Sequence, residues 1–377
     1  MSSFQQKMGW RIYHFVHSHG VVADVVYRAA YHVQRLKRSL NYRSVSRNLV
    51  TPEELWAHRQ FELAGGLITG VTNICNAKCT FCAYPKVVAN KTLQTGIMSM
   101  EIFCKAVDEW AALGGTRLDL TPVVGDPLVD PGLLDKLDHA VKKGMRVSLT
   151  TNAILMDKND NYRQLIDRGI REIYISTQGT NKEKYEEIYG VKHFDEAVSG
   201  IRHLLEYNRS RGEPIKIAIR FRNAEKPSEI TRSKLFKECL KPYFSENVRV
   251  NYTVDFDNWG GTIKPEDLSG NMRLRELPHQ LNIPCASLFG VVVRHDGSVR
   301  LCGCRLVRSD LDDLVVGNIR EHSMKEIAES ERAWDIIRGF YTGQRPETCK
   351  GCTMYQPVSR AWLQARAQAK AQRNEPN

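Results

Sequence analysis

With 377 residues, 42% apolar and 26% charged, the chain has an ordinary globular composition, enough for one large α/β domain and a smaller one. A net charge of +11 suggests nucleic acid until it is located: residues 1–50 carry eight Lys/Arg against one acid, and residues 360–377 carry four against one. The body between is near neutral, which excludes a nucleic-acid partner, and no stretch is apolar enough for a signal peptide or a membrane span. Ten unevenly placed cysteines do not make a disulfide framework. The chain therefore reads as cytoplasmic, with thiols available for metal.

Residues 1–60 read as a basic helical segment. Val22, Val26, Ala29, Val33, Leu36 and Leu40 step by four and three, with Arg28, His32, Arg35 and Arg38 on other faces. Such a helix either packs its stripe on the domain, the reading preferred here, or contacts an anionic membrane or a protein partner through residues 1–50. His14, His17 and His19 are dense enough for metal but have no fourth ligand nearby, so they read as surface polarity.

Strand-like runs then recur at 66–73, 117–121, 145–151, 172–177, 215–221 and 248–254, with helix-like runs near 99–113, 131–143, 160–168, 194–209 and 229–240. This alternation predicts parallel βαβ units, with ligands at the carboxyl ends of the strands. The loop after the first strand reads Cys75-Asn76-Ala77-Lys78-Cys79-Thr80-Phe81-Cys82. Three thiolates in one short loop can ligate three corners of a cubane iron–sulfur cluster and leave the fourth iron open, whereas a zinc site wants four ligands. The loop resembles the signature of radical S-adenosylmethionine (SAM) enzymes. That resemblance implies a partial (β/α)6 TIM-like barrel over residues 61–265. It also implies a 4Fe–4S cluster on Cys75, Cys79 and Cys82 whose open iron chelates SAM.

Further segments match the same family in order. Val124-Gly125-Asp126-Pro127 stands where the family usually has Gly-Gly-Glu-Pro, so Gly125 and Asp126 are expected at SAM, with Phe81 beside the cluster. Thr150-Thr151-Asn152 ends strand three and Ser176 ends strand four; short polar side chains there suit ribose and carboxylate recognition. The family often carries an Arg a dozen residues beyond that Ser, but Ile188 and Tyr189 occupy the place. Arg220 could supply the missing cation to the SAM carboxylate, with Arg222 competing. Strand six ends in Asp255-Phe256-Asp257-Asn258-Trp259-Gly260-Gly261. Asp255 and Asp257 are the candidate substrate-contacting bases, Tyr252 is a lesser one, and the Trp259 turn could equally be an exit loop.

Residues 266–358 read as a small cysteine-rich module, with an Asp296-Gly297 hairpin turn, and residues 359–377 as a basic helical tail. Cys285, Cys302, Cys349 and Cys352 resemble the SPASM or twitch auxiliary domain of radical SAM enzymes, which implies a second 4Fe–4S cluster. The spacing alone would also satisfy zinc, and Cys304 competes with Cys302 as ligand. The family resemblance implies reductive cleavage of SAM to a 5′-deoxyadenosyl radical that removes a substrate hydrogen atom, fed by a low-potential donor such as flavodoxin or ferredoxin. A fully ligated auxiliary cluster suits electron relay, which favours oxidation of a small polyol or sugar; if a thiol such as Cys304 instead returns a hydrogen atom, the outcome is epimerisation. A peptide maturase and a non-catalytic metal scaffold are the alternatives.

Overall fold

The computed structural model describes residues 3–57, 66–91, 93–178, 180–222, 225–303, 312–365 and 368. Helices α1 (Ser3–Ser18), α2 (Gly20–Arg47) and α3 (Pro52–Ala57) come first. Six parallel strands follow: β1 (Leu67–Thr69), β2 (Arg117–Asp119), β3 (Arg146–Thr151), β4 (Glu172–Thr177), β5 (Lys216–Arg222) and β6 (Val248–Thr253). Helices α4 (Tyr84–Ala89), α5 (Met100–Ala112), α6 (Leu133–Lys142), α7 (Asn161–Asp167), α8 (Lys182–Tyr189), α9 (Phe194–Ser210) and α10 (Pro227–Arg232) lie between and after them. The pleat sorts the side chains. Val147, Leu149, Ile173, Ile175, Ile217, Ile219, Val248 and Val250 are buried in one core with Phe103, Leu137, Leu165 and Leu204 of the helices. Their alternates Ser148, Thr150, Tyr174, Ser176, Arg220, Arg222 and Asn251 fall on the other face, so the lumen is polar.

The strands do not close on themselves. This is the expected α/β partial (β/α)6 barrel, and its two edges are treated differently. Beyond β1 the C-terminal module extends the same sheet. β9 (Val291–Val293) pairs in parallel with β1, and β10 (Ser298–Leu301) and β11 (Val315–Asn318) continue antiparallel. The turn between β9 and β10 uses Gly297 at φ 83° with Ser298 N–H donating to Asp296 Oδ1 at 3.0 Å. Between barrel and module, β7 (Asp255–Phe256) pairs with β8 (Arg273–Leu274), and α11 (Met324–Ala328), α12 (Glu331–Tyr341) and α13 (Glu347–Lys350) complete the module.

The N-terminal helices cover the other edge, at β6. Tyr13 Oη donates to Val250 O at 2.6 Å, Tyr252 N–H donates to Tyr27 Oη at 3.3 Å, and Tyr252 Oη donates to His17 O at 3.1 Å. Two phenols thus pair backbone groups of an edge that would otherwise invite another strand, and the His17 carbonyl holds the Tyr252 hydroxyl. Tyr252 faces these helices and not the lumen, which removes it as a substrate contact. His17 is buried between Tyr13 O and Tyr27 Oη, so it is neither surface polarity nor a ligand with His14 and His19. The packed face of α2 carries Ala23, Tyr27 and Val45. The stripe expected to pack is instead outward, with Val33, Leu36 and Leu40 49%, 61% and 54% exposed.

Candidate active site

The cysteine loop leaves the carboxyl end of β1 and is clamped from several elements. Lys78 and Thr80 N–H donate to Tyr189 O and Ile188 O at 2.8 and 2.9 Å, docking the loop on the end of α8. Gly190 there has φ 65°, and a Cβ would lie 2.9 Å from Lys78 O, so the close approach requires glycine. Gly125, at φ 119°, makes the same allowance on the other side: a Cβ would lie 3.0 Å from Ile74 O. Asn152 Nδ2 donates to Asn76 Oδ1 at 2.7 Å, and Trp259 Nε1 to Phe81 O at 3.0 Å.

Burial pushes the Cys75 thiol up to about 12 and Cys82 to about 11, while Cys79 is raised by burial and by both neighbouring thiols. Such thiols stay protonated until a metal displaces the proton. No three His, Cys, Asp or Glu side chains among the described residues gather closely enough for a single ion. A cubane distributes its ligands over several irons and does not need that convergence.

The remaining expected residues divide. Asp126 is buried, and its carboxylate accepts from Leu128 N–H, Asn152 N–H and Thr151 Oγ1 at 3.0, 2.8 and 3.0 Å. It ties the β2 loop to the end of β3, so its work is positional. Asn152 likewise orients Asn76. Ser176 offers its carbonyl to Tyr189 Oη at 2.6 Å. Phe81 packs on Phe256 and Tyr189, with ring centroids at 5.2 and 6.1 Å. Arg220 stacks on Tyr174 at 3.9 Å, lower in the lumen, whereas Arg222 lies half-buried over the Phe81 ring and beside Cys79, Cys82 and Tyr189. The structure thus brings Arg222, and not Arg220, to the cysteine loop. Sequence reasoning gave no place to α8, whose Asn181 cap and Tyr185–Tyr189 stack hold the loop's seat.

Asp255 pairs with Arg273 at 2.6 Å, which is stacked on Tyr31, so it faces the N-terminal helices. Asp257 accepts from Thr353 Oγ1 at 2.9 Å, next to Cys352. The loop that follows touches both cysteine sets. Trp259 bonds Phe81, the neighbour of Cys82, while Asn258 Nδ2 donates to Gly351 O at 2.9 Å, the neighbour of Cys352.

In the C-terminal module, the Cys349 thiol is raised by burial and then by Cys302, Cys285 and Cys352, so these four thiols share one neighbourhood. Cys302 ends β10 at φ 71°, its carbonyl held by Arg300 Nη1 at 2.6 Å, and Arg300 itself pairs with Asp312 at 2.7 Å. Cys304 lies outside the described residues. Leu301 is level with Val291 and with Leu67 at the start of β1, so Cys302 stands at the base of the barrel, opposite the Cys75 loop.

Comparison with known proteins agrees with this arrangement. The family model of the radical SAM superfamily matches residues 69–219, and that of an iron-sulfur cluster-binding domain, SPASM, matches residues 285–353. The chain belongs to the radical SAM superfamily. GTP 3′,8-cyclase of Petrotoga mobilis is 29% identical over 154 residues, 40% of this chain and 45% of that protein. PqqA peptide cyclase of Granulibacter bethesdensis is 27% identical over 126 residues, 33% of this chain and 32% of that protein. The chain thus spans less than half the length of these relatives. The solved structure of Streptococcus suis SuiB bound to precursor peptide SuiA shares the fold, with TM-score 0.51 and 15% identity over 80% of this chain and 72% of that one.

A radical SAM enzyme with a SPASM domain uses SAM and 4Fe–4S clusters, and the residues present fit them. Around the cysteine loop, Asn76 Nδ2, Thr80 Oγ1, Gln178 Oε1, Tyr185 Oη and Arg222 Nε are buried without a hydrogen-bond partner. Buried polar atoms left open in this way are what a polar cofactor would satisfy.

Proposed function

We propose that this radical SAM enzyme oxidises a small polyol or sugar-type metabolite with the auxiliary cluster as electron relay, or epimerises it where a thiol returns a hydrogen atom to the substrate radical. The carrying observation is the loop through Asn258 and Trp259, which hydrogen-bonds the neighbours of both Cys82 and Cys352. In this reading Cys75, Cys79 and Cys82 hold the SAM-binding cluster, and Cys285, Cys302, Cys349 and Cys352 close every corner of the second. SAM, bound to the reduced cluster, supplies the hydrogen-abstracting radical. Arg222 holds the SAM carboxylate, and Asp257 is the candidate proton acceptor beside the relay. A flavodoxin- or ferredoxin-type donor supplies the electron.

The test is to replace Cys349 and Cys352 together by Ala. Reductive SAM cleavage is expected to persist while product formation stops; undiminished product from that variant would sink the relay. The peptide-maturase alternative draws on the similarity to PqqA peptide cyclase and to SuiB, whose structure holds a precursor peptide. Against it, the described residues 3–57 are helical and offer no strand for a winged helix.

We also propose that the outward stripe of α2 rests on an anionic membrane surface. Arg28, Lys37, Arg43 and Arg47 are exposed on α2, and its one acid, Asp24, accepts from Ser228 N–H at 3.3 Å.

A further inference from the structure

The base of the barrel holds a cavity of about 1210 Å³ whose cations have no part in the proposed radical chemistry. Arg117, Arg146, Arg171 and Lys216 line it at or beside the starts of β2, β3, β4 and β5, and Cys302 and Gly303 form part of its wall. Two carboxylates share the lining. Asp119 accepts from the Thr121 N–H and hydroxyl and lies within electrostatic reach of Arg117 and Arg220, and Glu172 acts on Arg220 and on the Tyr174 hydroxyl. Among the described residues none of the four cations forms an ion pair. Tyr174 of the lining carries Arg220 stacked on its ring at 3.9 Å.

The four cations are solvent-exposed, so water screens much of their mutual repulsion, but they outnumber the two carboxylates, and the concave space gathers the excess into a positive field that draws anions. A monoanionic ligand leaves part of that excess unmatched. Phosphoryl oxygens match the fork of each arginine, and two linked phosphates reach cations on neighbouring strands, whose spacing is about 4.8 Å. We propose that this cavity binds a diphosphate-class group carried by the substrate, through Arg117, Arg146, Arg171 and Lys216. The inference rests on the proposed function and narrows it: the sugar or polyol arrives on a diphosphate ester. β3 to β6 run six or seven residues, about 20 Å, while β1 and β2 have three, so an anchor at the base leaves the uncharged end directed up the lumen toward the Cys75 loop. The diphosphate could belong to a soluble nucleotide or to a lipid-linked sugar, and the chemistry read by the cations is the same.

The test titrates inorganic pyrophosphate into reconstituted holoenzyme by calorimetry, with sulfate and glucose as comparisons. Pyrophosphate is expected to bind at least tenfold more tightly than sulfate, and glucose not to compete. Arg146→Gln and, separately, Lys216→Gln are expected to weaken pyrophosphate about tenfold, the order expected for one charge-assisted bond. Lys237→Gln, an equal charge change on the outer surface, should leave its affinity intact. Competition by a nucleoside diphosphate or by a short isoprenyl diphosphate then tells the two sources apart, and either supports the site. Equal affinity for sulfate, or equal weakening by Lys237→Gln, would show general attraction of anions and overturn it. Loss of auxiliary-cluster iron in Arg146→Gln and Lys216→Gln with pyrophosphate affinity unchanged would overturn it too, since the cations would then balance the cluster. Reductive SAM cleavage by the unaltered enzyme is measured alongside. Its absence would defeat the proposed function while leaving pyrophosphate binding to be judged on its own.

Discussion

Arg222 and Arg220 sit two residues apart on one strand face, yet their surroundings differ enough to separate their roles. Burial lowers the pKa of both, but Arg220 stacks on Tyr174 and has the charges of Asp119 and Glu172 nearby, whereas Arg222, over the Phe81 ring, has only thiols and a phenol beside it and its Nε has no hydrogen-bond partner. Such desolvation is tolerable only if an anion arrives. Arg222→Met is therefore expected to weaken SAM binding about tenfold or more, with Arg220→Met having a smaller effect. Calorimetric titration of SAM into the reconstituted protein checks this; the reverse ranking would return the role to Arg220. Asn258 supports a second prediction. Asn258→Ala removes the bond to Gly351 but touches no cysteine, so iron should stay at about eight per chain, from two cubanes of four. The ratio of SAM cleaved to product formed should rise several-fold. An unchanged ratio would mean that the loop does not couple the two cysteine sets.

At the scale of elements, the parallel strands were legible because their core-facing positions form short β-branched runs, and β4 falls on the expected residues. The cysteine loop was legible because its ligands are adjacent in sequence. Three features were not. The expected helix over 229–240 breaks at Ser233, whose hydroxyl accepts from Phe236 N–H while its own backbone is extended; the following turn is a wider π-helix, Leu235–Leu240. The parallel pairing of β9 with β1 joins residues more than two hundred positions apart, and no local periodicity encodes it. Helix α8 carries no strong apolar stripe, because its buried side chains Tyr185, Ile188 and Tyr189 face the loop and not the main core. Its value appears only once Lys78 and Thr80 are seen to dock on it. Gly190→Ala tests that seat. A positive φ costs a non-glycine residue about 1–2 kcal/mol, and the new Cβ would press on Lys78 O. The variant is expected to lose iron selectively from the Cys75 loop and to melt several degrees lower. Full iron content with an unchanged melting point would show that the docking is dispensable.

For the whole molecule, α1 and α2 do two things with two faces. The inner face seals the β6 edge through Tyr13, Tyr27 and His17, so removing residues 1–50 should unmask that edge and reduce solubility. A deletion therefore cannot isolate the outer face, and point changes are the better probe. Val33, Leu36 and Leu40 are exposed and make no part of the core, so Leu36→Glu with Leu40→Glu should leave the fold and SAM cleavage intact. No helix among the described residues is long and apolar enough to cross a membrane; the expected contact puts the apolar stripe at the lipid boundary and the Lys/Arg groups at headgroups. Binding to vesicles rich in anionic lipid is expected at low salt. It should weaken as salt screens the charges over a Debye length of about 10 Å at 0.1 M. The double glutamate variant should bind at least tenfold less, since it removes buried apolar area and adds repulsion at the same place. Equal binding to neutral and anionic vesicles, or no difference between the variant and the unaltered protein, would reject the membrane and leave the stripe to a protein partner. If the membrane contact holds and the base cavity prefers the isoprenyl diphosphate, the two positive regions serve one substrate presented at a lipid surface.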